Sequence, residues 1–235
     1  MVSTDMRTRC TTDPEMITAV RRTIAGLQSL EASCSHGGYF AFQTDVTADH
    51  RAVVVDWLSH VFTFDFPGCS HRTFFLAVSI MDRFLEKKRV QRLKLQLLGI
   101  AAFALASLVE DVSGLPGEAD VLSGSLLATL CNGAYTPAEV ADMRTDILVT
   151  LREGLVAPTS LQFAQEILHV LRAGDAVWSS DSITLCGIAL YFIEVTALDA
   201  TMLRFAPSAI AAAGCQLALN AYGIVHTPWV RCDRW

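Results

Sequence analysis

Charged residues are scarce in this chain, and the sequence motifs of common catalytic sites are missing. Of its 235 residues, 18% are charged and 52% are hydrophobic, which excludes a disordered chain and favours extensive buried helix. The sequence contains no phosphate-binding loop, no dinucleotide-binding glycine motif, no serine-hydrolase elbow and no zinc-protease H-E-x-x-H. A kinase catalytic loop is absent too, because "HR" at 50–51 and at 71–72 is not followed by aspartate. The chain is predicted not to be an enzyme.

The cysteines and histidines give no sign of a metal site or a disulfide framework. The seven cysteines are odd in number and include no C-x-x-C pair, which indicates free thiols in a reducing compartment. Cys69 and His71 are the closest cysteine–histidine pair, and one such pair supplies only half of a tetrahedral zinc site. We therefore expect no metal, no cofactor and an intracellular location.

A formal net charge of -6 argues against a nucleic-acid partner, since phosphate contacts need a dense basic surface. The one basic run is interpreted as a solvated helix junction and contains Lys87, Lys88, Arg89, Arg92 and Lys94. Of two apolar stretches, 95–109 is too short to span a bilayer, and 205–225 is interrupted by proline, glutamine and asparagine. We expect two buried helices, no membrane contact and, since "MVSTDMRTRC" has no apolar core, no signal peptide.

Apolar residues recur at helical spacing along the chain, and capping residues mark where helices begin. Asp13 followed by Pro14 predicts the start of a first helix, and Thr47 predicts the cap of a second. A third helix covers "RTFFLAVSIMDRFLEKK". The apolar stripe of the first helix is predicted to contain Met16, Ile17, Val20, Ile24, Leu27 and Leu30. That of the second contains Val54, Trp57, Leu58 and Val61, and that of the third contains Phe74, Val78, Met81 and Leu85.

A fourth helix, starting near Leu93, is apolar on nearly every side and is expected to be the central helix of a bundle. A short helix near 121–130 follows it. Thr136 and Glu139, with Pro137 between them, form a capping box that opens a further helix to about Arg152. No stretch alternates as a strand would, so we expect an all-α protein.

The second half of the chain repeats the apolar pattern of the first at an offset of 110 residues, which is 188 minus 78. This offset aligns "VSIMDRFL" with "IALYFIEV" and "GIAAFALAS" with "AIAAAGCQL". Pro158 and Thr159, within "REGLVAPTS", interrupt the helical pattern and predict a boundary. The predicted organisation is an N-terminal helix and linker at 1–36, a first bundle at 37–154 and a second bundle at 155–235.

Three stretches, "HRAVVVDWL" at 50–58, "MDRFL" at 81–85 and "RLKLQLLGIAAFALAS" at 92–107, together resemble the cyclin box. Later stretches, "YTPAEVADMRTDIL", "APTSLQF" and "FAPSAIAAAGCQLAL", resemble further box helices, so the resemblance covers about residues 14–222. Among cyclins, the first-box motifs most resemble those of D-type cyclins. The compact chain is also similar to cyclins carried by gammaherpesviruses. The resemblance implies two tandem five-helix cyclin boxes after an N-terminal helix, the second box being cut short after three helices.

The resemblance also implies a function that is exerted on another protein. A cyclin forms a heterodimer with a cyclin-dependent kinase and presses on the mobile helix of the kinase, so that a glutamate pairs with the catalytic lysine and the activation loop opens. The chain would then drive cell-cycle progression in the nucleus and cytoplasm of a virus-infected host cell. A shallow groove would also capture kinase substrates and inhibitors.

Three sets of residues follow from the resemblance. Arg51 and Asp82 match the ion pair that joins the first two box helices. The docking groove matches His50, Val53, Trp57, Arg92, Leu95 and Gln96. The kinase-binding face matches Leu105, Leu108, Val109, Glu110, Arg144, Leu148 and Leu151.

Several positions depart from the family pattern. His50 stands where methionine is usual, and His60 stands where an acidic residue commonly receives the basic side of a docking motif. Leu108 and Arg144 stand where most cyclins hold the kinase with a lysine and a glutamate. We therefore expect weak docking in the groove and an altered kinase contact, with non-binding as the competing outcome.

Two other classes stay open as alternatives. The first is a cyclin-fold adapter or a transcription factor of the TFIIB type, which would need a basic face for promoter DNA. The second is an enzyme, which no motif favours.

Overall fold

A computed structural model of the chain describes residues 14–32, 38–110, 123–152, 154–173, 178–221 and 223. All regular structure in these residues is helical, without a strand, which confirms the all-α prediction. The helices are α1 Pro14–Glu31, α2 Ala48–His60, α3 His71–Lys87, α4 Leu95–Glu110, α5 Gly124–Leu130, α6 Pro137–Thr150, α7 Ser160–Ala173, α8 Trp178–Leu198 and α9 Pro207–Ala221. The predicted cap Asp13 lies outside the described residues.

The first bundle consists of α2 to α6, and α4 is its central helix as predicted. α4 packs against α2, α3 and α6, and every residue from Leu97 to Ser107 is buried. At Gly99 a methyl group would lie 2.9 Å from Cγ1 of Val54, so glycine is what lets α2 and α4 approach this closely. The sequence pattern is explained because a helix surrounded on all sides has no solvent face to fill with polar residues.

Of the described residues, one helical stretch, Arg92–Glu110, is long and apolar enough to cross a membrane. It is longer than the sequence stretch considered above because the 3-10 turn Arg92–Lys94 leads directly into α4. In the fold, 67% of its apolar window is buried by neighbouring helices. The central position of α4 in the first bundle therefore accounts for its hydrophobicity.

Capping boxes are present at Thr47, which was predicted to cap α2, and at Thr136, where the box itself was predicted. Thr47 accepts a hydrogen bond from the backbone N–H of His50, whose Nδ1 accepts one from the Thr47 N–H at 3.3 Å. Thr136 and Glu139 exchange the same pair of hydrogen bonds at the start of α6, with Pro137 in the first turn. These short-range contacts confirm the predicted starts of α2 and α6.

Helix ends agree less well with the sequence pattern. The chain does not leave its helical path at His60, since a π-helical turn, Val61–Asp65, extends α2. α4 begins at Leu95 instead of Leu93, and α6 ends at Thr150, two residues before the predicted end. The caps of α2 and α6 are local in sequence, whereas these other boundaries depend on neighbouring elements.

The second bundle contains α7, α8 and α9 within the described residues, and α9 packs against both others. Shifting α2, α3 and α4 by 110 residues gives 158–170, 181–197 and 205–220, which overlap these three helices. The sequence repeat thus corresponds to three pairs of equivalent helices. The prediction that the second bundle is cut short concerns residues 224–235, which lie outside the described residues.

α1 packs on the second bundle. Val20 and Ile24 are buried, and the helix lies against α7. In its last turn, Glu31 accepts hydrogen bonds from the backbone N–H and the hydroxyl of Ser208, at 2.7 and 2.8 Å, at the start of α9. Leu30 was expected in the buried stripe but is 59% exposed, because the neighbouring Glu31 faces the bundle instead.

Arginines of α3 reach from the first bundle to the second and to the segment between them. Arg83 donates to the carbonyl oxygen of Gly154 at 2.8 Å and to that of Leu155. Arg72 Nε donates to Oε1 of Gln165 at 2.8 Å. These hydrogen bonds link the two bundles across the predicted boundary.

Candidate functional site

The last turns of α4 and α6 carry exposed apolar side chains. On α4, Leu108 and Val109 are 45% and 37% exposed. On α6, which packs against α4, Leu148 and Val149 are 49% and 51% exposed. We call these four residues the α4–α6 apolar surface. Exposed apolar groups on two packed helices are candidates for an interaction site, because water contact with them is unfavourable until a partner covers them.

Two residues assigned to the kinase-binding face are buried. Leu105 and Leu151 are each 4% exposed, so their side chains belong to the core beneath the surface and cannot themselves contact a partner. The structure corrects these two assignments. Glu110 and Arg144 are partly exposed. Val149 was missed by the sequence reasoning, although its apolar neighbour on the same exposed helix turn was found.

The residues assigned to the docking groove come from α2, from the start of α4 and from the turn before it. Val53 is 69% exposed on α2, and Trp57, one turn further on, is partly buried. Gln96 is partly buried on α4, whereas Leu95 is only 1% exposed. Leu95 therefore belongs to the core, which corrects its assignment to the binding surface.

Both histidines and carboxylates lie around this groove. His60 lies on α2 with its Nδ1 3.9 Å from Oδ2 of Asp56. Arg92 is exposed, and its backbone N–H donates to Oδ2 of Asp45 at 2.7 Å. His50 is held by the capping box described above. The groove thus combines an apolar α2 face with histidines where a carboxylate would be needed to receive a basic side chain.

Two exposed apolar residues near the groove were not predicted. Phe64 lies in the π-helical turn, and its ring centroid is 6.0 Å from that of His60. Leu93 lies in the turn before α4 and is also exposed. The spacing of Val53, Trp57, His60 and Phe64 was the available signal, since steps of four, three and four residues keep one helix face.

The predicted ion pair is at the centre of a buried polar group. Arg51 donates from Nε to Oδ1 of Asp82 and from Nη2 to Oδ2, both at 2.8 Å. The Tyr39 hydroxyl donates to Oδ1 of Asp82 at 2.7 Å. Arg51 also donates from Nη1 to the carbonyl oxygen of Ala197 in α8, at 2.7 Å. One guanidinium therefore joins α2, α3 and the second bundle.

Burial and the Asp82 charge set the protonation of this group. Burial raises the pKa of the Tyr39 hydroxyl, and the charge of Asp82 raises it further, so Tyr39 remains a neutral donor. Burial would lower the pKa of Arg51, but the adjacent Asp82 outweighs burial and raises it. Such a pair specifies packing geometry more than it adds stability, since both charges must leave water.

Two family profiles match the chain over most of its length. The profile described as "Cyclin, N-terminal domain" matches residues 23–155, and "Cyclin, C-terminal domain" matches residues 158–231. The chain belongs to the cyclin family. Its fold is the all-helical cyclin fold with two cyclin boxes, the first bundle lying in the first box and the second bundle in the second.

This cyclin is similar to plant cyclins along its length. G2/mitotic-specific cyclin-1 of Medicago sativa subsp. varia is 34% identical over 204 residues, which are 86% of this chain and 43% of that protein. Cyclin-B2-1 of Oryza sativa subsp. japonica is 32% identical over 206 residues, or 87% of this chain and 43% of the relative. The cyclin thus spans less than half the length of these two curated relatives.

A solved viral cyclin has a similar fold. The X-ray structure of a viral cyclin from Herpesvirus saimiri matches with a TM-score of 0.71 and 23% identity, over 87% of this chain and 84% of the other. At that identity the likeness concerns the fold alone.

Several cations of the basic run of this cyclin contact its own residues. Lys88 Nζ lies 2.6 Å from Oδ2 of Asp146. Arg89 donates to the carbonyl oxygen of Phe42 at 3.0 Å, and its guanidinium lies 5.1 Å from the centroid of the Phe42 ring. These contacts fit the interpretation of the run as a helix junction.

The part of this cyclin that the structure describes has no clustered metal ligands, and two of its buried thiols have raised pKa values. No group of three or more histidine, cysteine, aspartate or glutamate side chains there is arranged to hold a metal ion. Burial raises the pKa of Cys131 to about 11. The pKa of Cys215 is raised to about 12, mainly by burial and to a smaller extent by Cys186. Both thiols therefore stay protonated and unreactive at neutral pH.

Proposed function

We propose that this cyclin is a regulatory subunit that binds and activates a cyclin-dependent protein kinase, and so drives cell-cycle progression. The observation that carries the proposal is the α4–α6 apolar surface, which lies where the family resemblance implies the kinase contact. The relatives support the cell-cycle context, since one is named as a G2/mitotic-specific cyclin. Phosphoryl transfer would be the work of the kinase, while the cyclin would supply binding energy.

The energy required is within the reach of such a surface. Moving a kinase from 1:99 to 99:1 in favour of its active state needs a difference of about 5.5 kcal/mol between the two states. At about 25 cal/mol per Å² this corresponds to roughly 220 Å² of apolar area that is buried only in the active state. A few exposed leucine and valine side chains can contribute area of this size.

The α4–α6 apolar surface lacks a charge that most cyclins carry at this position, which indicates an unusual contact. Leu108 stands where most cyclins carry a lysine, so one charge-assisted contact would be replaced by apolar burial. Because salt screens exposed ion pairs but not apolar contacts, we expect the affinity for the kinase to fall little as the salt concentration rises. Leu108→Lys should make the affinity clearly salt-dependent.

The test mixes the purified cyclin with a panel of cyclin-dependent kinases, each with its activation loop phosphorylated or not. Complex formation and phosphorylation of a generic substrate are measured. In the kinase that responds, Leu108→Glu combined with Leu148→Glu should weaken binding about 100-fold, because two carboxylates would be buried against an apolar partner. Leu217→Glu is the matched control, since Leu217 is equally exposed on α9.

Each outcome separates the candidate functions. If no kinase of the panel forms a complex or is activated, the proposal is wrong. A complex without activation would favour the adapter, and salt-dependent binding to duplex DNA would favour the transcription-factor alternative. Equal loss of binding in the Leu217→Glu control would show that the α4–α6 apolar surface is not the contact.

The groove proposal concerns substrates and inhibitors. We propose that it docks basic-hydrophobic motifs weakly, because histidines stand where carboxylates would be needed. A titration with such a peptide should give at most weak binding, and tight binding would contradict this.

We also propose residence in the nucleus and cytoplasm, where the kinase partners would act. The assignments to D-type cyclins and to a gammaherpesvirus stay predictions, since the two relatives named above are plant cyclins.

A further inference from the structure

A cavity of about 140 Å³ lies between the two bundles, away from the α4–α6 apolar surface. The first bundle supplies one wall from α3, and the second supplies the opposite wall from α8, α9 and the 3-10 turn Ala200–Arg204 between them. The segment that joins the bundles closes a third side. The apolar lining includes Phe75, Val78, Leu203, Phe205, Pro207 and Ile210.

Three of the polar groups that line the cavity make hydrogen bonds within the protein. Arg51 is bonded to Asp82 and to the Ala197 carbonyl oxygen, as described above. Arg83 holds two backbone carbonyl groups of the joining segment. The Thr196 hydroxyl donates to the Ile193 carbonyl oxygen at 2.6 Å. A ligand therefore meets an apolar wall with a polar margin, which is the usual anatomy of a small-molecule site between domains.

We propose that this inter-bundle cavity is a binding site for one compact, neutral aromatic ring. An apolar protein cavity of about 150 Å³ is large enough to bind benzene, so a single ring fits the volume here. An anionic ligand is disfavoured, because the carboxylates of Asp82 and Glu86 line the cavity and the Arg51 guanidinium is already bonded to Asp82. Phe205 lines the cavity and is partly exposed, so its ring is available both to solvent and to an entering ring.

Binding would couple the two bundles. Both bundles contribute walls, so an occupied cavity favours the orientation in which those walls face each other. The same orientation brings Arg51 to the carbonyl oxygen of Ala197. This proposal does not depend on the kinase proposal, since it concerns a different surface and a different class of ligand.

The test uses phenol and aniline as neutral single-ring probes, with benzoate as the charged counterpart of similar size. Saturation-transfer NMR on the full chain should detect both neutral probes with a Kd on the order of 1 mM, as expected for so few ligand atoms. At ten times the Kd, the melting temperature should rise by about 4 °C. Benzoate should bind at least tenfold more weakly. Absence of phenol and aniline binding, or equal binding of benzoate, would overturn the proposal.

Variants locate the binding. Leu203→Phe places extra atoms in the cavity and should weaken phenol binding at least tenfold, whereas Leu217→Phe, on an exposed position of α9, should leave it unchanged. Should Leu203→Phe fail to fold, Phe205→Ala removes one ring of the lining at a partly exposed position and should weaken binding several-fold. Phenol binding unchanged in a folded Leu203→Phe or Phe205→Ala variant would show that the probe binds elsewhere.

Discussion

α4 and α9 are equivalent helices at an offset of 110 residues, yet they are buried to different extents. Every residue of α4 from Leu97 to Ser107 is buried. In the described part of α9, burial is confined to one side, and Leu217 is 49% exposed. α4 packs against α2, α3 and α6, whereas α9 packs mainly against α7 and α8. Similar apolar composition thus accompanies different burial, because within the described residues α4 packs against more helices than α9 does.

The largest loss of stability should follow from breaking the buried Arg51–Asp82 ion pair, since Arg51 also links the first bundle to the second. Asp82→Ala leaves the Arg51 guanidinium buried without its carboxylate and should lower the free energy of unfolding by about 3–5 kcal/mol. Urea denaturation measures this. Asp146→Ala breaks the exposed pair with Lys88 and should cost at most about 1 kcal/mol. An unchanged melting temperature in Asp82→Ala would contradict the role given to the pair.

The second test compares the two central helices directly. Leu98→Ala on α4 removes a fully buried side chain and should lower the free energy of unfolding by about 3 kcal/mol, through lost burial and the cavity left behind. Leu217→Ala on α9 should cost less than about 0.5 kcal/mol, because its side chain is half in water. Similar costs in the two variants, measured by chemical denaturation, would mean that Leu217 is covered in solution and would break the comparison.

The third test uses glycines in helices. Gly99→Ala forces a methyl group to 2.9 Å from Val54 and should destabilise the first bundle by about 1–3 kcal/mol. Gly187→Ala, on α8, meets nothing within 4 Å and should stabilise by about 0.5–1 kcal/mol, because alanine restricts the unfolded chain. Thermal unfolding checks both signs. Loss of stability in Gly187→Ala would show that this face of α8 is also closely packed.

The smallest effect concerns a contact between the bundles. Burial raises the pKa of Glu194, although His71, 3.6 Å away, lowers it. A raised carboxyl pKa favours the folded state at low pH, and this contribution is lost as the pH rises through the folded pKa. Glu194→Gln should therefore raise the free energy of unfolding by up to about 0.5 kcal/mol at neutral pH, relative to the unmodified chain. Near pH 4 it should leave the free energy of unfolding unchanged. A pH-independent difference would refute this assignment.

The sequence predicted the parts of the fold that depend on nearby residues. Thr47 and Thr136 cap helices because a side chain reaches an N–H three residues away, and such a contact is visible in the sequence. The apolar stripe of α3 was predicted for the same reason, since helical spacing alone decides which residues share a face. The π-helical turn after α2 was not predicted, because Phe62 and Phe66 are buried only once the neighbouring helices are in place.

The candidate surfaces divide in the same way. The resemblance to cyclins named Leu105, Leu108 and Leu151 together, but only Leu108 is exposed. The exposed Leu108 and the buried Leu151 each have two charged residues within four positions, so composition does not separate surface from core. Leu95 in the groove is a further case, since it is buried beside the exposed turn that precedes it.

By itself the sequence determined that this protein is helical, where two of its helices begin, that its second half repeats its first, and that it resembles cyclins. Those properties depend on spacing, capping and local motifs, which are short-range. Only the tertiary structure decided which leucines of α4 are exposed, that Arg51 reaches Ala197 in the second bundle, and that a cavity separates the bundles. These properties depend on contacts between residues far apart in the chain, because burial is set by the helices that pack around a side chain.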